Sequence, residues 1–98
     1  MSDAGQELNK FLDILDTLLG PDGCEWDRKQ THKSLIPYLL EETHEVIEAI
    51  NEENQEKLKE ELGDLLLHVV FQANLSKKEG YFEFSDSIRS IRKKMIRR

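Results

Sequence analysis

EELGDLLLHVVFQANL, residues 60–75, is apolar almost all the way round a helical wheel, yet it carries Glu61, Asp64 and His68 at intervals of three and four. Leu65, Leu66, Leu67, Val69, Val70 and Phe71 suit a protein interior, and a helix that is apolar on every side predicts a buried position. Carboxylates do not belong there without compensation. Each isolated buried charge costs several kcal/mol, and a second like charge nearby makes ionisation harder still.

The preceding helical segment repeats the anomaly. On a wheel of about 100° per residue, Leu35, Leu39, Val46, Ala49 and Ile50 define an apolar face over residues 35–52, widened by Leu40 and Ile47. Glu42 falls inside that face and Glu45 at its edge, while Glu41, Glu48 and Glu52 lie opposite. Each helix thus offers an E-x-x-[ED] pair, Glu42 with Glu45 and Glu61 with Asp64. Residues three apart are neighbours on a helix surface. If the short NEENQ connection makes the two helices antiparallel, four carboxylates converge. All-oxygen ligation of that kind suits a hard cation, Mg²⁺ or Mn²⁺, better than zinc. Mg²⁺ keeps several waters and often binds together with substrate phosphates.

Two more helices frame this pair. Leu8, Phe11, Leu12, Leu15, Leu18 and Leu19 recur at three and four over residues 4–19, and GPDG at 20–23 ends that helix. CEWDRKQTHKS reads as an ordered loop. The second helix is expected to start near Ser34 as N-cap, with Pro37 in its first turn, and to run to about Asn51. The third spans 55–78. KKEGYFEFS is a turn, and Ser85 is expected to cap a fourth helix with Ile88, Ile91 and Met95 on one side. No segment alternates like a strand, so the expected fold is all-α and four-helix bundle-like.

The totals agree with one soluble domain over residues 1–98. The chain is 38% hydrophobic and 35% charged. A helical chain this short often completes its core by pairing with a second copy. No run approaches the ~20 apolar residues of a membrane span and no signal peptide opens the chain, which makes the cytoplasm the expected compartment. The single Cys24 excludes an internal disulfide or a cysteine zinc cluster and reads as a small turn residue. A net charge of −6 argues against general nucleic-acid binding. Ten of the 20 acids lie between Glu41 and Asp64, and six of the 14 basic residues lie between Arg89 and Arg98. Such a split suits a metal-and-phosphate site, and equally well a set of solvated helix faces.

The same residues carry a family pattern. E-E-x-x-E, fifteen residues, then E-x-x-D (Glu41, Glu42, Glu45, Glu61, Asp64) resembles the MazG nucleoside triphosphate pyrophosphohydrolases of the all-α NTP pyrophosphatase superfamily. GCEWDRKQTHKSLIPYLLEETHEVIEAI and LKEELGDLLLHVVFQANL are similar to the family's two main blocks. Phe82, Asp86, Ile88 and the Lys94–Arg98 segment fit its closing elements, so the likeness runs from about residue 8 to the end. Glu25 stands where the family usually has proline. The chain ends at Arg98, where the family typically continues, which implies a shortened chain or one domain of a longer protein.

The resemblance implies hydrolysis of a (d)NTP between the α and β phosphates to (d)NMP and pyrophosphate, in an intertwined helical dimer or higher assembly. Glu42, Glu45, Glu61 and Asp64 would hold Mg²⁺, Lys94 and Arg98 would meet the triphosphate, and Lys57 is a further candidate for that task. Glu41 has at most a supporting role. Trp26 would stack on a base or anchor its loop. A carboxylate not committed to metal, Glu45 on this reading, would orient or deprotonate the attacking water. His68 reads more readily as a satisfied interior residue than as a partner of Asp64, and His44 as solvated. Two other function classes compete: a di-iron carboxylate bundle, suggested by the Glu41–His44 spacing but lacking its second E-x-x-H, and a catalytically inactive MazG-like dimerisation or regulatory module.

Overall fold

The computed structural model describes residues 3–97. They form two compact units, one ending at Thr31 and one beginning at His32.

In the first unit, helix α1 covers Ala4–Leu19 and buries Leu15 and Leu19. Asp3 caps it, its side chain accepting from the Gln6 N–H at 3.1 Å. Beyond Gly20 the chain doubles back on the helix end: the Gly23 N–H reaches the Gly20 carbonyl at 3.0 Å and the Cys24 N–H the Leu18 carbonyl at 2.9 Å. A Cβ on Gly23 would stand 2.1 Å from the Leu18 carbonyl oxygen, so this close approach admits glycine alone. The segment expected as loop contains a one-turn helix, α2 (Glu25–Arg28). Its acids, Glu25 and Asp27, lie in the first turn and Arg28 in the last, which complements the backbone dipole of even a short helix.

The second unit carries the expected helices. A 3₁₀ turn, Lys33–Leu35, leads into α3 (Ile36–Asn51), followed by α4 (Gln55–Lys78) and α5 (Phe84–Arg97). Ser34 is not the N-cap of α3; it lies within the 3₁₀ turn, and Leu35 precedes α3 with helical dihedrals and no side-chain capping bond. Ser85 likewise falls inside α5. The cap there comes from Asp86, which accepts from the Glu83 N–H at 2.9 Å and from Arg89 at 2.8 Å. Those two donors, the backbone one foremost, hold the Asp86 carboxyl below its ordinary range.

Three residues join α3 to α4. The Glu53 N–H reaches the Ile50 carbonyl and the Asn54 N–H the Ala49 carbonyl, both at 3.1 Å, a Schellman closure with Glu53 in the left-handed region (φ 54°). Asn54 then caps α4, its side chain accepting from the Lys57 N–H at 3.1 Å. One residue therefore ends one helix and starts the next. The same closure ends α4, where Gly80 takes the left-handed position (φ 82°) and the Tyr81 N–H reaches the Ser76 carbonyl at 2.9 Å.

α3 and α4 run antiparallel along each other. Lys57, near the start of α4, meets Glu48 and Glu52 near the end of α3 at 3.6 and 3.3 Å, while His32, ahead of α3, meets Gln72 near the end of α4. α4 was expected to be buried throughout and is not. His68, Val70, Phe71, Ala73, Leu75 and Ser76 are buried, but Leu62 and Leu66 in its first half, and Leu67 and Val69 just past its midpoint, are exposed. Leu40 (67% exposed) and Ile47 (49%) on α3, and Ile88, Ile91 and Met95 on α5, are open as well. A chain this size has too few apolar layers to cover both sides of its central helix. Every regular element among the described residues is helical, and no helix there is long and apolar enough to cross a membrane.

The two Schellman closures give opposite expectations for substitution. Glu53→Gly removes a Cβ from a left-handed residue and should raise stability by about 1 kcal/mol, whereas Gly80→Ala introduces one and should lower it by ~1–2 kcal/mol. Thermal unfolding of the two variants checks the sign of each.

Candidate functional site

Because α3 and α4 are antiparallel, Glu42 in the middle of α3 faces the first half of α4. One carboxylate oxygen from each of Glu42, Glu61 and Asp64 lies within 4.8 Å of the others. Glu42 and Glu61 are partly buried, and Asp64 is exposed. Glu42 Oε2 is itself fully buried and has no hydrogen-bond partner.

The electrostatics follow from that crowding. Burial, then the charges of Asp64 and Glu61, push the Glu42 carboxyl above its ordinary 4.5. Burial, then Glu45 and Asp64, raise Glu61 from the same value, with Lys57 partly opposing them. Among the described residues no cation lies within ion-pair distance of the three acids. Buried polar atoms are ordinarily satisfied, so an orphaned oxygen on a carboxylate that belongs to a cluster of like charge fits a missing positive partner. Oxygens on opposite sides of one hard divalent ion, at ~2.0–2.6 Å each, lie about 4–5 Å apart, which is the span of this cluster. The donor set can hold such a cation.

The other expected residues are distributed as follows. Glu45, partly buried one turn further along α3, is not among the three converging carboxylates, although its charge acts on Glu61. Glu41 is exposed on the far side. Lys57 is engaged by Glu48 and Glu52, and its hydrogen bond to Glu52 is the main cause that raises its pKa. Lys94 lines a shallow open groove on α5 with Phe82, Asp86, Ser87, Ser90 and Ile91. Arg98 lies outside the described residues. Trp26 sits in α2 of the first unit, 50% exposed. His44 is on the wet face of α3, 3.3 Å from Glu48.

His68 does not reach Asp64. It is buried, its Nε2 lies 3.1 Å from Gln72 Nε2, and burial lowers its pKa. Gln72 in turn holds His32, whose Nε2 is 3.4 Å from Ser76 Oγ and 3.9 Å from Glu79 Oε2. Sequence reasoning missed His32, Gln72 and Ser76. The signal was present: Glu61, Asp64, His68, Gln72 and Ser76 form one polar stripe at spacings of three and four along an otherwise apolar helix.

Glu42 also has a readable pH signature in metal-free protein. Its raised pKa means the folded chain binds that proton more tightly than the unfolded chain, so stability is highest below the ordinary value and declines as pH rises through the raised one. Glu42→Gln should therefore increase the melting temperature at pH 7 in EDTA, with the gain vanishing below about pH 4. Mn²⁺ should stabilise the parent chain and not the variant. Melting curves across pH, with and without Mn²⁺, report both effects.

Residues 30–98 match the family model described as the MazG nucleotide pyrophosphohydrolase domain. A Thermotoga maritima protein named nucleoside triphosphate pyrophosphohydrolase/pyrophosphatase MazG is 52% identical over 98 residues, covering 100% of this chain and 38% of that protein. A nucleoside triphosphate pyrophosphohydrolase of Escherichia coli is 44% identical over 93 residues (94% of this chain, 35% of that one). The Bacillus subtilis protein YabN, named as uncharacterized, is 49% identical over 92 residues, 19% of its own length. This chain thus spans well under half of each of these relatives, and its match to the domain covers both acidic helices and α5: it belongs to the MazG nucleotide pyrophosphohydrolase domain family.

Proposed function

We propose that this chain hydrolyses nucleoside triphosphates, (d)NTP, between the α and β phosphates, releasing (d)NMP and pyrophosphate. The observation that carries the reading is the convergence of Glu42, Glu61 and Asp64, together with the burial of an unpartnered oxygen, Oε2, on Glu42. Relatives named as nucleoside triphosphate pyrophosphohydrolases, similar over nearly the whole of this chain, support it.

On this reading Glu42, Glu61 and Asp64 hold Mg²⁺, or Mn²⁺ in its place, with Glu45 able to join from the adjacent turn. When bound, such an ion neutralises phosphate oxygens and acidifies a coordinated water. Glu45, outside the tight trio, orients that water or accepts its proton. Lys94 and Arg98 bind the departing pyrophosphate, and their fixed positive charges favour the charge that develops there. Lys57 serves the closed end of the α3/α4 hairpin first, since Glu48 and Glu52 already engage it. No covalent intermediate on the protein is required.

The exposed apolar residues on α3, α4 and α5 suggest how the site is completed. Exposed apolar residues in such number on three helices fit an interface, and a second copy of the chain is the occupant we propose, giving a homodimer or a larger symmetric assembly. Light scattering on the purified chain should give a mass of at least two copies; a monomer would remove this part of the reading.

The activity is tested with Mg²⁺ and a panel of NTPs and dNTPs, following pyrophosphate. Release from at least one nucleotide is expected, with Glu42→Gln and Asp64→Asn each reducing kcat/KM by more than ~100-fold. A chain that binds Mn²⁺ yet releases no pyrophosphate from any nucleotide would instead be a non-catalytic dimerisation or regulatory module.

A further inference from the structure

We propose that Gln72 is a positioning residue for the acidic site: by tying His32 to His68 it locks the open end of the α3/α4 hairpin and holds Glu42 in register with Glu61 and Asp64. This rests on reading those three carboxylates as the metal site.

The hairpin has two ends and the acids lie between them. At the closed end, the Asn54 cap and the Lys57 contacts with Glu48 and Glu52 set the register. Those ion pairs are partly exposed, and pairs of that kind hold weakly. The open end has no connecting loop. α3 begins there with neither His32 nor Leu35 making a side-chain cap, so some other group must fix the incoming backbone.

Gln72 supplies it. Its Nε2 lies 3.3 Å from the His32 backbone carbonyl and 3.1 Å from His68 Nε2, and its Oε1 meets His32 Nδ1. The amide has two N–H donors and one carbonyl, and all are used. Donation to His68 Nε2 places the His68 proton on Nδ1 in the neutral ring, the state that burial favours. His32 Nδ1 donates to Gln72 Oε1, which leaves His32 Nε2 to accept from Ser76 Oγ at 3.4 Å. Gln72 grips the backbone of His32 as well as its ring, one residue before the 3₁₀ turn that launches α3. His68 and Ser76 are buried, and in such surroundings hydrogen-bonded networks are strong and specific in geometry.

The acids make this grip necessary. Glu42, Glu61 and Asp64 carry like charge, and without a cation their repulsion drives α3 from α4. A slip of one residue moves a helix by about 1.5 Å and turns it by ~100°, enough to take Glu42 out of a cluster whose oxygens lie within 4.8 Å.

The test compares Mn²⁺ affinity, by electron paramagnetic resonance, of the parent chain with Gln72→Leu, Gln72→Glu and Gly80→Ala, at a temperature where each is folded. Gly80→Ala weakens the far end of α4 without removing any side chain of the network, and so controls for lost stability. Gln72→Leu should bind Mn²⁺ about 10-fold more weakly. Gln72→Glu keeps the acceptor for His32 but loses both donors; it should also bind more weakly, and serves if the leucine variant fails to fold. Gly80→Ala should change the affinity less than about 2-fold, and kcat/KM should follow the Mn²⁺ affinity across the set. Equal Mn²⁺ binding by the parent and the Gln72 variants, or a loss in Gly80→Ala as large as theirs, overturns the positioning role alone. Absence of Mn²⁺ binding by the parent overturns the metal-site reading, and this inference with it.

Discussion

Like charges pressed together between two helices set the terms for the second unit of this protein. Glu42, Glu61 and Asp64 sit where apolar side chains would stabilise the contact between α3 and α4, and their mutual repulsion works against that contact. The hairpin must therefore be held from elsewhere. At one end Asn54 serves both as the last residue of a Schellman closure and as the N-cap of the next helix, a connection too short to permit sliding. At the other end, polar groups from the buried His68 and Ser76 and the half-buried His32 and Gln72 meet. Stability and function are in tension at the centre: the groups that cost the metal-free fold most are the ones the proposed chemistry needs.

The same economy explains the distribution of burial. The second half of α4 carries most of the buried side chains of its unit, while Leu62 and Leu66 in the half bearing Glu61 and Asp64, and Leu67 and Val69 just past the midpoint, stay in the open. On the proposed function the acidic site admits an ion and a phosphate chain, so its own unit leaves it unroofed. Exposed apolar residues flanking charged ones are the natural consequence, and they are the surface on which a second copy is proposed to close.

Local caps illustrate why chain chemistry and tertiary demand can part. Ser34 and Ser85 are good N-cap types near the right places, yet neither caps. Near Ser34 a 3₁₀ turn brings the His32 carbonyl to Gln72, and a partly buried network replaces the side-chain cap. Near Ser85, Asp86 reaches back to the Glu83 N–H with a carboxylate already oriented by Arg89. In the first unit, CEWDRKQTHKS has enough charge order to make one turn of helix, α2, that a polar composition had concealed.

The sequence by itself determined the all-helical class, the limits of α1 and α4 and the end of α3, because periodicity, Gly and Pro punctuation and the polar NEENQ connection are local properties read within a few residues. It also singled out Glu42, Glu45, Glu61 and Asp64, since a carboxylate on or beside an apolar stripe is anomalous whatever it packs against. What only the tertiary structure decided was relational. Which acids converge, with Glu45 standing one turn outside the trio, depends on the angle at which α3 meets α4. That Lys57 is occupied by Glu48 and Glu52 depends on side chains crossing between helices. The place of His68 depends on His32, separated from Gln72 by 40 positions. A helical wheel gives the direction of each side chain about its own axis, but distances between side chains on different helices are fixed only when the helices pack.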